Sequence, residues 1–226
     1  MILDLPQLPP QVAAHASAAA LCSGSPRVLL VADMSQPSLA RRFWAFDLSD
    51  PTHPTLVLQT QVANGYGSDP GRTGIPTTFG DVEGSGKTSL GVYVVGDPYV
   101  GKHGGSYRLA GFSASNAHAF ERNIMLHPAP YVSASHVGPS GGCAAVAPET
   151  LAALDRRFGS LSGAVLWIDG PGAIAPTCAA ATAPAWPIHT PTWVAAITPA
   201  RPACDASVSA TNERPLARTA ASPKVS

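Results

Sequence analysis

Short apolar runs, each closed by a proline- or glycine-rich turn, recur along the chain as far as Gly170. The first three are RVLLVADM from Arg27, RRFWAFDL from Arg41 and TLVLQTQVA from Thr55. Runs of this length with many β-branched and aromatic residues are typical of strands, and SDPTHP between two of them is typical of a turn. The 23 prolines among 226 residues also disfavour a helical bundle. We therefore predict a mainly β fold.

Further elements follow from periodicity and length. Three more strands are predicted at LGVYVV, IMLH and GAVLWIDG, and short helices at QVAAHASAAALC, NAHAFERN and APETLAALDRRF. Residues 64–89 are polar and glycine-rich, and we predict one long connection there. A loop of that length inside a compact domain is uncommon unless it has a function.

Composition excludes several classes of protein. Lys plus Arg and Asp plus Glu both number 14, so the formal net charge is zero, whereas a nucleic-acid-binding protein normally has a basic surplus. The four cysteines have no C-x-x-C spacing, so we expect no structural zinc site and no cofactor. Their spacing favours no particular disulfide. We also expect no transmembrane segment, because no apolar run reaches 18 residues.

One stretch imitates a nucleotide-binding motif. In GDVEGSGKTS the glycine that should stand five positions before Gly86 is replaced by Asp81, and Gly80 lies one residue too far away. The residues after it, LGVYVV, predict a strand, although a phosphate-binding loop must open a helix. We therefore predict no nucleotide site.

Composition also suggests domain boundaries. Residues 171–226 are rich in Ala, Pro and Thr without a steady period, and such a segment buries too little apolar surface to fold. We predict an N-terminal helical extension at 1–25, a folded main domain at 26–170 and a disordered tail at 171–226. The N-terminus lacks a basic region before its apolar residues and makes a poor signal peptide.

The stretch HVGPSGGCAAV surrounds Cys143 with small residues. A thiol acts as a nucleophile when a base is close and when backbone N–H groups can reach the oxyanion that forms. Gly141 and Gly142 give that access. His127, sixteen residues upstream at the end of a predicted strand, is the candidate base, and His136 in the turn is its rival. The structural alternative is a small buried thiol beside a core histidine.

These residues resemble a known family. HPAPYVSASHVGPSGGCAAV is similar to the catalytic signature of murein L,D-transpeptidases, the YkuD-like catalytic-domain family, in which a histidine precedes a Ser-x-Gly-Cys element. SLGVYVVGDPYVGKHGGSYRLAGF resembles the segment before the catalytic histidine of that family. RVLLVADMSQPSLARRFWAFDLSD and NAHAFERNIMLH resemble its opening strands and its approach to the histidine.

The resemblance implies a function. It assigns Cys143 as nucleophile, His127 as general base, Ser140 as an ordering residue, and the N–H groups of Gly142 and Cys143 as the oxyanion hole. The substrate would be a peptidoglycan stem peptide: the thiolate attacks the carbonyl of the third residue, D-Ala leaves, and an amine of a neighbouring stem forms a 3–3 cross-link. It also implies a bacterial cell-wall enzyme of the periplasm or cell envelope.

The resemblance has departures, which leave alternatives open. The family usually reads Gly-Arg-Ser-x-Gly-Cys-Pro and His-Gly, whereas this chain has Pro139 in place of the arginine, Ala144 after the cysteine and Pro128 after the histidine. With water as acceptor the same site would be an L,D-carboxypeptidase. A site impaired by the two prolines would leave a peptidoglycan-binding module without catalysis.

Four residues are candidate contacts for the acidic stem peptide, which needs cations. They are Lys102, His103, Ser106 and Arg108, all within the segment that resembles the family. The structural alternative is a solvated hairpin edge. The remaining cysteines, Cys22, Cys178 and Cys204, are expected to be inert.

Overall fold

A computed structural model describes residues 2–177 of the chain. Within that range the helices are α1 (Pro10–Cys22) and α2 (Pro148–Phe158), and the strands are β1 (Val28–Asp33), β2 (Phe43–Asp47), β3 (Thr55–Thr60), β4 (Gly91–Gly101), β5 (Gly104–Gly111), β6 (Met125–Pro128), β7 (Ala144–Val146) and β8 (Val165–Asp169). The predicted mainly β fold is confirmed. The predicted tail lies largely outside the described residues, and the predicted domain boundaries stay predictions.

The strands of the described range form one mixed sheet in the order β3-β2-β1-β8-β4-β5-β6-β7. Two pairs are parallel, β1 with β8 and β6 with β7, and the other pairs are antiparallel. Every residue of β1 and β8 is buried. This explains their nearly continuous apolar sequences, since strands covered on both faces have no polar face to show.

The two faces of the sheet carry separate cores, because successive strand residues point to opposite sides. On one face Leu30 and Leu166 pack with Leu154 of α2. On the other face Leu29 and Trp167 belong to a cluster that also includes apolar residues of α1. The helices therefore cover opposite faces, and the strands between them form the buried centre of the fold.

The first helix is also tied to the sheet by polar contacts. His15 Nδ1 lies 2.8 Å from Asp169 Oδ2, and the same oxygen accepts a hydrogen bond from Trp167 Nε1 at 2.8 Å. Both acceptor and donors are largely shielded from water, so the carboxylate keeps its partners. This network joins α1 to the end of β8.

The structure differs from the predicted elements in three places, one of which is strand β5 (Gly104–Gly111), which the sequence patterns did not predict. The predicted helix NAHAFERN is wrong: only Ala114–Asn116 form a 3₁₀ turn, and residues 117–123 continue as turns. Strand β7 was not predicted, since three residues after a glycine pair give too short a pattern. The long connection at 64–89 is confirmed, with one 3₁₀ turn at Tyr66–Ser68.

Candidate active site

Cys143 lies directly before β7, at the end of a tight loop. Gly142 before it has φ of +120°, a conformation that favours glycine. The side chain of Cys143 is half-buried, its thiol is free, and Sγ makes a long contact of 3.8 Å with the carbonyl oxygen of Asn123. Burial raises the pKa of the Cys143 thiol above its ordinary value, although the Met125 N–H and two cations, Lys102 and Arg122, act in the opposite direction. The resting group is therefore a thiol.

His127 lies on β6, the strand that pairs with β7. The parallel register sets Leu126 beside Ala144 and His127 beside Ala145. Cys143 comes one residue before Ala144, so it is level with Met125 and adjoins the side of β6 that carries His127. Strand pairing therefore brings the predicted nucleophile and the predicted base to neighbouring positions at one edge of the sheet.

The tautomer of His127 follows from its hydrogen bond. Nδ1 lies 2.9 Å from the carbonyl oxygen of Pro128. A carbonyl only accepts, so Nδ1 carries the proton and Nε2 is left as the basic nitrogen. Burial lowers the pKa of His127, the Pro128 carbonyl raises it, and nearby His103 and Lys102 lower it further, with a net decrease. The imidazole is therefore neutral near pH 7 and able to accept a proton.

Ser140 orders the loop that carries Cys143. Its Oγ donates a hydrogen bond of 2.7 Å to the Cys143 carbonyl and accepts one of 3.1 Å from the Gly142 N–H. The hydroxyl thereby closes the loop on itself. It also occupies the Gly142 N–H, one of the two predicted oxyanion donors.

The long connection at 64–89 frames this loop from the other side. The Ser140 N–H donates to the Asn64 carbonyl at 2.8 Å, and the Tyr66 N–H donates to the Ser140 carbonyl at 2.9 Å. A Cβ on Gly65 would lie 2.9 Å from Gly142 Cα, which is closer than real Cβ contacts allow. The connection and the cysteine loop are thus fitted backbone to backbone, which gives this unusually long loop a structural purpose.

Arg122 joins the same framework, and the sequence did not reveal it. Its guanidinium donates to the Lys87 carbonyl at 2.8 Å, to Asp81 Oδ1 at 2.8 Å and to Ser89 Oγ at 3.2 Å. The side chain is only 4% exposed. The segment NAHAFERNIMLH assigns Arg122 no role, and the partners of Arg122 lie more than 30 residues away in sequence, so only the tertiary structure brings the group together.

The turn between β4 and β5 supplies two of the four candidate substrate contacts. The ring of His103 stacks on the ring of His127, with centroids 4.1 Å apart and planes at 24°. Lys102 beside it is exposed, and its charge is felt by both His127 and Cys143, as their pKa shifts show. The structure therefore brings Lys102 and His103 to the candidate site.

The other two candidates are placed differently. Ser106 is 1% exposed, and its Oγ donates to the Gly104 carbonyl at 3.1 Å, so its hydroxyl braces the hairpin. Arg108 is exposed, and its guanidinium carbon lies 5.4 Å from the centroid of the Tyr99 ring and 5.5 Å from that of Phe120. These three residues line a cavity of about 220 Å³. Arg108 is opposite Met125 in the sheet register, so it is two strands away from Cys143.

Comparison with known families identifies the family of the chain. A family model described as the L,D-transpeptidase catalytic domain matches residues 9–166. The chain belongs to the L,D-transpeptidase catalytic domain family. The predicted resemblance is therefore confirmed, and the matched range contains Cys143, His127, Ser140 and the β4–β5 hairpin.

Solved structures give distant matches. The helical cell shape determining protein Pgp2 from Campylobacter jejuni is 11% identical, with a TM-score of 0.43, over 69% of this chain and 56% of that one. An L,D-transpeptidase from Mycobacterium smegmatis is 16% identical, with a TM-score of 0.36, over 64% of this chain and 59% of that one. The chain spans less than two thirds of either structure. No curated protein matches it.

Three further observations concern the residues that the structure describes. His136, the rival base, is exposed, and its N–H and carbonyl bond to Ser133 in a turn. Within residues 2–177 no group of three His, Cys, Asp or Glu side chains is arranged to hold a metal ion. Neither helix of that range is long and apolar enough to cross a membrane.

Proposed function

We propose that this family member is an L,D-transpeptidase that acts on peptidoglycan stem peptides through an acyl-thioester on Cys143. The observation that supports this most directly is the hydrogen bond from His127 Nδ1 to the Pro128 carbonyl. It leaves Nε2 free to accept a proton at a position next to the thiol. The proline after the histidine, a departure from the usual family sequence, retains the carbonyl that this bond requires.

The reaction begins with both groups neutral, since burial disfavours both the thiolate and the imidazolium. His127 Nε2 takes the thiol proton as Sγ attacks the carbonyl carbon of the third stem residue. The tetrahedral intermediate then breaks its bond to D-Ala, and the imidazolium returns the proton to the departing amine. A thioester on Cys143 and a neutral His127 remain.

Resolution of the thioester reverses these roles. The amine of a second stem attacks the thioester carbonyl while His127 takes one of its protons. Collapse of the intermediate breaks the carbon–sulfur bond, and the proton passes to Sγ to restore the thiol. The product is a 3–3 cross-link, and no other reactant is needed.

Stabilisation of the oxyanion falls to backbone N–H groups of the cysteine loop. We assign the Cys143 N–H as one donor. The Gly142 N–H serves as the second only after it releases Ser140 Oγ, to which it is bound in this structure. Ser140 is thus proposed to hold the loop in its resting form and to yield one donor when the substrate enters.

Cations near the site suit the carboxylates of the stem peptide. We propose that Lys102, at the tip of the hairpin, and Arg108, held between two aromatic rings, bind these carboxylates. His103 covers His127 and limits its contact with water. Ser106 acts through the hairpin shape because its hydroxyl is already bonded to Gly104. A substrate of this kind would place the protein in the periplasm or cell envelope.

Intact-mass spectrometry tests the proposal. The parent and Cys143→Ala are mixed with a disaccharide-tetrapeptide, and protein and peptide masses are recorded. The parent is expected to form an acyl adduct and release D-Ala, and the variant to do neither. A cross-linked dimer indicates transpeptidation, whereas a free tripeptide indicates the carboxypeptidase alternative. A folded parent that binds peptidoglycan without adduct or turnover would contradict catalysis and support the binding-module alternative.

A further inference from the structure

The side chain of Arg122 is buried against the cysteine loop, and none of the proposed reaction steps involves it. The guanidinium donates to two carbonyl oxygens, Gly80 at 3.3 Å and Lys87 at 2.8 Å, and to the hydroxyl of Ser89 at 3.2 Å. Its counter-ion is Asp81, at 2.8 Å. Since a guanidinium presents its donors in a rigid planar fork, this set of acceptors fixes its orientation.

Gly142 lies directly against this group. A Cβ added at Gly142 would come within 2.7 Å of the Lys87 carbonyl and 3.3 Å of Arg122 Nη2. The Lys87 carbonyl is the one that Arg122 Nη2 holds. Arg122 therefore supports, through Lys87 and directly, the backbone that precedes the reacting sulfur. Gly142 has a φ of +120°, which favours glycine, and this surface leaves no room for a Cβ there.

Charge gives a second line of support. The charges felt at the Cys143 thiol come from two elements, Lys102 in the β4–β5 turn and Arg122 in the segment before β6. Burial and the ionised thiol in turn raise the pKa of Tyr131 in the segment after β6. Lys102 is exposed, so water screens its charge, whereas Arg122 is 4% exposed. Asp81 reduces the field of Arg122, and it also accepts from the N–H of the exposed His118 at 2.6 Å.

We propose that Arg122 is a positioning residue of the active site, which fixes the backbone at Gly142 and supplies a buried positive charge beside the reacting sulfur. In the usual family sequence an arginine stands three residues before the Gly-Cys pair, where this chain has Pro139. Arg122 provides a cation from another element of the fold. The inference rests on the proposed function, since it assigns Arg122 to the same reaction.

The alternative is that Arg122 only satisfies loop carbonyls and has no influence on the thiol. Alkylation by iodoacetamide separates the two, because its rate follows the thiolate fraction and needs no peptide substrate. The rate is measured between pH 6 and 11 on the tryptic peptide that contains Cys143, for the parent, Arg122→Met, Arg122→Lys and Asp81→Asn. Arg157→Met is the control, since that arginine pairs with Asp47 and does not belong to the active-site framework.

Each variant has a distinct expected result. Arg122→Met shifts the alkylation midpoint upward and slows the reaction at pH 8 by a few-fold, because the thiolate fraction falls when the buried positive charge is removed. Arg122→Lys keeps the midpoint near that of the parent but lowers kcat, because an ammonium cannot reproduce the fork. Asp81→Asn removes the counter-charge and speeds alkylation at pH 8. The control resembles the parent throughout.

Two results would overturn the inference. One is an Arg122→Met protein with parent-like circular dichroism whose alkylation profile overlays that of the parent. The other is Asp81→Asn reacting more slowly than the parent, which decides the question if the methionine variant does not fold. Because alkylation is independent of turnover, an inactive parent with shifted profiles would contradict the proposed function and leave the role of Arg122 standing.

Discussion

The two halves of the sheet are built in different ways. Around β1 and β8 every strand residue is buried, and helices cover both faces. Around β6 and β7 the strands have four and three residues, and they are held in place by loop backbone from residues 64–89 and 138–143. The first half is stabilised by apolar burial on both faces. The second half adds hydrogen bonds and close backbone contact between loops to the burial of Leu126, Ala144 and Val146 in the shared core. The geometry of the site therefore depends on loop contacts that the scaffold half does not need.

The largest effect is expected at His127, where a substitution should change kcat/KM but not the stability of the fold. His127→Gln removes the base and should lower kcat/KM by about 10²–10⁴ while the unfolding midpoint changes little. His136→Gln, the exposed rival, should leave kcat/KM unchanged. Steady-state kinetics on a tetrapeptide substrate check both, and loss of activity in His136→Gln alone would reverse the assignment of the base.

Truncation in the scaffold should give the opposite pattern. Leu166→Ala empties a fully buried position of β8 and should cost about 2–5 kcal/mol in the free energy of unfolding, measured with urea. The rate of Cys143 alkylation without denaturant should stay at the parent value. Leu39→Ala, at a residue that is 55% exposed, is the matched control. A changed alkylation rate in folded Leu166→Ala would show that the two halves are coupled.

A methyl group at the contact between the 64–89 connection and the loop that carries Cys143 should disturb the half of the sheet that contains the site. In Gly65→Ala the new Cβ would clash with the Gly86 carbonyl oxygen and lie 2.9 Å from Gly142 Cα, so backbone must shift on both sides. We expect a fall in kcat/KM together with a loss of at least about 1–3 kcal/mol in the free energy of unfolding. Gly80→Ala is the control in the same connection, because a Cβ there meets only the end of the Lys87 side chain, at an ordinary contact distance of 3.5 Å. Equal losses in both variants would argue against the proposed fit.

The pH dependence of kcat/KM tests whether burial keeps both His127 and Cys143 neutral. Since the pKa of His127 is lowered from 6.5 and that of Cys143 is raised from 9.0, the neutral pair persists over a widened range. A plot of log kcat/KM against pH should therefore be flat from somewhat below pH 6.5 to somewhat above pH 9.0. It should fall on both sides of that plateau. Each fall approaches tenfold per pH unit. A bell whose two limbs both fall between pH 6.5 and 9.0 would contradict the buried neutral pair.

Sequence predicted the scaffold half better than the site half for a physical reason. Buried segments show a regular spacing of apolar residues within a short stretch of sequence. RVLLVADM, GAVLWIDG and APETLAALDRRF could therefore be assigned from that spacing, and the family from its motif. Strand β7 is too short to show such a spacing, and NAHAFERN has helix-forming residues but adopts turns. The contacts of Arg122 depend on residues more than 30 positions away, which no window along the chain includes. The roles of Cys143 and His127 remain predictions.

The parallel pairing of β6 with β7 has a consequence for how such sites vary. Between His127 and Cys143 the chain leaves the sheet, makes a small excursion closed by a bridge between Val132 and Val137, and returns. Register between the strands, and not the count of intervening residues, sets where the thiol meets the imidazole. We therefore expect the tip at residues 133–136 to tolerate insertions without a change in the position of Cys143 relative to His127.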